Sequence, residues 1–133
     1  MATLTPTLTL VSTDIGSDNL SLSATDSLTV TAPLITAASK VTNVAGGSKV
    51  DLDVTGGGNK FVYVKHTGFQ ADGTTSTTNQ LEIHIHDGSQ DRDIGKLAAG
   101  EFAFFPSGGH SLGVQLQASS GTIVAEYAYF TKG

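Results

Sequence analysis

From Lys60 to Phe130 the chain repeats one pattern, with apolar residues alternating with polar or small ones at every second position. KFVYVKH, QLEIHIHD, GEFAFFPSG, LGVQLQA and TIVAEYAYF all follow it, and Gly, Asp, Asn, Ser or Pro separate them. A period of two places successive side chains on opposite faces of a pleated strand, so each segment offers one face to a core and the other to solvent or a partner. No segment carries a helical period of comparable strength. The pattern predicts an all-β protein, built as an antiparallel β-sandwich or jelly roll. Its core should be drawn from Phe61, Tyr63 or Val62, Leu81, Ile83, Ile85, Phe102, Phe104, Leu112, Val114, Leu116, Val124 and Tyr127. Alternation fixes which residues share a face but not which face is buried, so the choice between Val62 and its neighbours stays open.

A chain of 133 residues fits one domain able to bury a two-sheet core. It has no cysteine, which excludes disulfides and thiolate metal sites. The opening MATLTPTLTLV lacks the basic and unbroken apolar regions of a secretory signal, and no apolar run reaches membrane-spanning length. The expectation is a soluble protein made in a cytoplasm, with no membrane partner. Twelve acidic residues outweigh seven basic ones for a net charge of -5, and the basic residues are scattered. Nucleic-acid binders gather Lys and Arg into a patch, so no nucleic-acid partner is expected. With 18 Thr, 13 Ser and 16 Gly, the outer faces should be largely neutral hydroxyls, which suits subunits that pack together without desolvating charge.

The first half differs in texture. Thr3 to Leu10 alternate Thr with Leu around Pro6, and a proline cannot donate to a β-ladder. Residues 1–18 therefore read as an extended N-terminal arm or edge strand, and 19–133 as a single β-sandwich domain. Leu4, Leu8 and Leu10 are the expected interface residues of that arm. NLSLSA and SLTVTAP read as a hairpin joined at Asp26 and Ser27 and ended by Pro33; AASKVTNV fits a strand or a helical turn, the strand being preferred, and KVDLDV reads as a strand. The polar loop Gly68 to Asn79, anchored only by Phe69, is expected to be exposed and either mobile or ordered by a neighbour.

Catalytic signals are few. His84 and His86 share one face of their strand, and with His110 they are the candidate metal ligands. HIH and GEFAFFPSGGH resemble parts of the two cupin motifs, which would imply a small metal-binding protein or enzyme. The pattern departs from the cupins at Thr78, where a glycine is expected, at Asp91, where a glutamate is expected, and at His110, which falls one residue early after the proline. The preferred reading makes His84 and His86 hydrated residues on a polar face, with no metal and no cofactor. Asp51 with Asp53 read as solvent-facing carboxylates rather than an acid–base pair, with calcium the minor alternative; Asp87, Asp91 and Asp93 beside a glycine suit a weak calcium loop but lack EF-hand spacing. Gly56 to Asn59 reads as a turn rather than a phosphate loop.

A different resemblance covers the C-terminal third. Gly95, Leu97, Gly100, Glu101, Phe102, Phe104 and Pro106, followed by Glu126, Tyr127 and Phe130, resemble the strand grammar of small virion structural proteins of tailed bacteriophages. The resemblance implies a non-enzymatic subunit of the particle, such as a capsid decoration (cement) protein that stabilises a phage head, or alternatively a tail or adaptor component. It implies the major capsid protein or another virion protein as partner, a homotrimer, and a location in the virion after assembly in the host cytoplasm. A carbohydrate-binding sandwich is the weaker alternative, because tryptophan is absent and Tyr63, Tyr127 and Tyr129 lie in strands.

Overall fold

The computed structural model describes residues 2–14, 16, 19–42, 47–52, 60–86, 89–107 and 113–132. Among them every regular element is a strand: β1 (Ala2–Leu4), β2 (Thr7–Ser12), β3 (Leu20–Thr25), β4 (Leu28–Thr42), β5 (Val50–Asp51), β6 (Lys60–His66), β7 (Leu81–His86), β8 (Asp91–Leu97), β9 (Phe102–Pro106), β10 (Val114–Ala118) and β11 (Thr122–Lys132). All pairings are antiparallel. One sheet has the order β1-β4-β11-β6-β9, a second β5-β10-β7-β8, and β2 and β3 pair alone.

The two larger sheets share one core in a sandwich-like arrangement. Val62 and Val64 of β6 and Ile123 and Ala125 of β11 face Leu81 and Ile83 of β7 and Val114, Leu116 and Ala118 of β10, with Leu52 and Leu97 at the margin. Val62 is therefore the inward residue, and Phe61 and Tyr63 point the other way. Leu81, Ile83, Val114 and Leu116 are buried as expected, and Ile85 and Tyr127 pack against the core from its border. Three expectations are corrected. Phe102 and Phe104 lie on the outer face of β9, because Ala103 and Phe105 take the inner one. Val124 also faces outward, since Ile123 and Ala125 set the phase of β11. Leu112 lies outside the described residues. In each correction the alternation is right and the buried parity is the other one.

The N-terminal third also pairs differently from the expected Asp26–Ser27 hairpin. Ala2 to Leu4 pair with Val30 to Leu28, and Thr7 to Ser12 pair with Thr25 to Leu20. The Asp26 N–H donates to the Pro6 carbonyl at 3.1 Å. These contacts keep a single register, so residues 2–12 and 20–30 run as the two sides of one long ribbon. The ladder is interrupted at Thr5–Pro6 because proline brings no N–H. The first strand thus enters the larger sheet as its edge, and the rest of the segment forms half of the ribbon. Pro33 does not end β4 either, for its backbone pairs with Phe130. The β1 strand covers only Leu28 to Val30, so β4 is open on that flank at Pro33, where a missing donor is tolerated. AASKVTNV is strand as far as Thr42.

The 68–79 loop is exposed at its tip but ordered from within. Phe69 bridges to Ser76, the Val124 N–H donates to the Phe69 carbonyl at 2.9 Å, and the Thr77 N–H donates to the Gly68 carbonyl at 2.9 Å. One carboxylate of Asp72 accepts the N–H groups of Thr74 (2.9 Å) and Thr75 (2.8 Å) and the Thr75 hydroxyl. Gly73 supplies a positive φ of 71° that a side chain would strain. His66, fully buried under the loop, donates or accepts at both ring nitrogens: Nδ1 accepts the Gly68 N–H at 2.9 Å and Nε2 meets the Asn79 carbonyl at 2.9 Å. With Nδ1 accepting, Nε2 carries the proton.

Candidate functional surfaces

The outer face of the smaller sheet carries the histidines. Hairpin pairing sets His84 opposite Asp93 and His86 opposite Asp91, with Glu82 opposite Lys96. A register shift between Ile83 and His84 leaves Ile94 as an extra residue on β8. This bulge changes the phase of the strand, so Asp91 and Asp93 share the histidine face while Leu97 still turns into the core. Strict alternation through all seven residues would instead put Leu97 on the face of Asp91 and Asp93.

His84 is not hydrated on this face, contrary to expectation: it is only 4% exposed. Its Nδ1 lies 2.5 Å from Asp93 Oδ1 and its Nε2 3.6 Å from Glu82 Oε2. Neither approach has hydrogen-bonding geometry, so both buried ring nitrogens are left without a hydrogen bond. His86 is more open, with Nε2 3.4 Å from Asp91 Oδ1. Lys49 pairs with Asp91, and its hydrogen bond holds that carboxyl below the ordinary carboxylate range. Lys96 donates to Glu82 at 2.7 Å, and this hydrogen bond, with the carboxylate's charge, raises the lysine pKa. Asp51 accepts from Gln115 Nε2 at 2.5 Å. The face is a belt of cross-strand pairs rather than a set of converging ligands. Among the described residues no three His, Asp or Glu side chains come together as a metal site. His110, Asp53 and Asp87 lie outside the described residues, as do Gly56 to Asn59.

The second surface was not foreseen. On the outer face of the larger sheet, Phe61 stacks on Phe104 with ring centroids 5.8 Å apart, and Tyr63 lies 6.4 Å from Phe102. Cross-strand pairing of β6 with β9 brings them together, Tyr63 opposite Phe104. Phe102 remains 62% exposed and Phe104 38%. The base of the ribbon faces these rings. Pro6, Leu8 and Ala24 form one wall, and the four aromatic rings the other wall, of a groove of about 640 Å³.

The ribbon itself is amphipathic. Register places Leu8, Leu10, Leu20, Leu22 and Ala24 on one face, and Thr7, Thr9, Ser21, Ser23 and Thr25 on the other with Val11. Thr7 and Thr25 hydroxyls meet at 3.1 Å on the polar face. Of the expected interface residues, Leu4 is half-buried in β1, whereas Leu8 (54%) and Leu10 (45%) are exposed together with Leu22 (55%). No residue of β2 or β3 is charged. The sequence signal for the aromatic face was present in KFVYV and FAFF, which carry more large apolar side chains than one buried parity can use.

Comparison with protein-family models, with curated proteins and with solved structures gives no match for this chain.

Proposed function

We propose that this chain is a non-enzymatic structural subunit of a tailed-phage virion, working as a decoration protein on the outer surface of the head. The observation that carries the reading is the uncharged β2–β3 ribbon, whose leucine face is exposed beside an aromatic sheet face. Two-stranded ribbons are marginal alone in water, and exposed apolar faces on this scale mark interaction surfaces. The reading also draws on the similarity of Gly95 to Pro106 and Glu126 to Phe130 to small virion proteins, and on a surface rich in hydroxyls and poor in charge. Its partners would be the major capsid protein and further copies of itself. Purified heads lacking the chain should take up the recombinant protein on co-sedimentation and resist heat or chelator better afterwards. Failure of the folded protein to bind heads would remove the decoration role, and binding to tails or necks instead would favour the tail or adaptor alternative.

One observation favours a second reading, a cupin-like metal-binding protein: the buried His84 has no hydrogen bond at either ring nitrogen and stands beside His86. Elemental analysis decides it. A stoichiometric transition metal that is lost in His84→Ala/His86→Ala would establish that reading.

A further inference from the structure

Leu8 and Ala24 line the groove, but Leu10 and Leu22, next along the same face of the ribbon, do not. Within one chain, then, the ribbon's base forms a wall of the groove while its leucine tip projects beyond it. We infer that the tip of one copy's β2–β3 ribbon seats in the groove of a second copy, between that copy's ribbon base and its aromatic face. This deepens the reading of the chain as an assembly subunit and rests on it.

The occupant is argued from the two surfaces themselves. The groove is walled by aromatic rings on one side and by Leu8 and Ala24 on the other, and its volume of about 640 Å³ falls in the range that holds small apolar ligands, enough for a few leucine side chains. The tip supplies Leu10, Leu20 and Leu22 on strands that carry no charge, and the Asp14 carboxylate just beyond β2 accepts the Ser12 hydroxyl at 2.8 Å. Asp26 is the one charged residue at the groove, and its carboxylate accepts the Ser27 N–H at 2.8 Å. Asp14 and Asp26 are thus each hydrogen-bonded within the chain, the leucines and aromatic rings are left as the contact surfaces, and each copy carries both. The contact also continues one already present within the chain, where leucine faces the aromatic rings at the ribbon's base. Seating needs no refolding, since the tip is displayed by a fixed register. Such a contact is head-to-tail, so it builds a ring when the rotation closes.

The absence of cysteine makes a direct test possible. Leu10→Cys and Phe102→Cys chains, prepared separately, mixed and oxidised, should form a disulfide-linked heterodimer, whereas Thr9→Cys on the hydroxyl face should not link to Phe102→Cys. Leu10→Ser/Leu22→Ser should keep the circular dichroism of the wild type and self-associate at least about tenfold more weakly in sedimentation velocity. A wild-type monomer throughout the micromolar range overturns the inference. So does cross-linking only within a doubly substituted chain, which would fold the ribbon onto its own sheet, or a Leu10→Cys homodimer alone, which would pair tip with tip. A monomer that still coats heads sinks this contact and spares the decoration reading, whereas an oligomer that never binds heads does the reverse.

Discussion

Asp72 shows what one carboxylate can do for a loop of twelve residues that has only Phe69 as an apolar anchor. The Thr75 hydroxyl first, and then the Thr74 and Thr75 N–H groups, lower its pKa from 3.8 to about 2. These bonds favour the charged form, as hydrogen bonds to a carboxylate do. The sign follows from linkage: a depressed carboxyl stabilises the fold fully above its unfolded pKa, and that contribution fades as pH falls toward about 2. The Asp72 carboxyl should titrate near pH 2 by NMR, and Asp72→Asn should flatten the acid dependence of unfolding between about pH 4 and pH 2. The histidines separate by burial. His84→Ala empties a buried site and leaves the Glu82 and Asp93 carboxylates with nothing between them, so a loss of about 1–3 kcal/mol in urea unfolding is expected. His86→Ala, at a side chain 21% exposed, should cost less, about 1 kcal/mol or below. Equal effects of the two would contradict the difference in burial.

At the scale of elements, the Ile94 bulge reconciles two demands on β8. The polar face needs Asp91 and Asp93 opposite the histidines, and the core needs Leu97 opposite Leu81. Strict alternation through all seven residues cannot meet both, and setting Ile94 outside the ladder does; without Ile94 the pairs on either side would join in one continuous register that keeps both. Deleting Ile94, which is 45% exposed, should therefore cost no more than about 1 kcal/mol by denaturant unfolding. A loss above about 2 kcal/mol would mean that the bulge itself, and not only the register on either side of it, holds β8 in place. The ribbon teaches a related lesson. Pro6 marks a break in the Thr/Leu comb, yet the register runs through it, because the Asp26 N–H finds the Pro6 carbonyl on the far side.

For the molecule as a whole, the question is which apolar side chains hold the two sheets together and which are kept outside. Leu116 is fully buried between the sheets, and Leu116→Ala should cost about 2–5 kcal/mol. Phe102 is larger but lies mostly in solvent, so Phe102→Ala should cost less than about 1 kcal/mol in the isolated chain, and its effect should appear in association instead. A reversed order in thermal or urea unfolding would place the core on the wrong side of β9.

Much of the architecture was legible in the chain. The period of two in Lys60 to His66, Leu81 to His86 and Val114 to Ala118 sufficed for an all-β fold, and for which residues share a face, because alternation is a property of the local backbone. Local backbone does not say which face is covered. The inward choice of Ala103 and Phe105 over Phe102 and Phe104, and of Ile123 over Val124, depends on the sheet that packs opposite, while the burial of His84 depends on the neighbours that strand pairing brings to it within its own sheet. Strand partners were also beyond local reach. Leu20 to Thr25 could pair forward across Asp26 and Ser27 or backward to Thr7 to Ser12, and the backward register wins in the folded chain, where Leu28 to Val30 are drawn against Ala2 to Leu4 at the sheet edge. The sequence by itself determined strands and faces, while tertiary packing decided which face is dry, which strands are neighbours, and thereby that a leucine ribbon stands beside an aromatic wall.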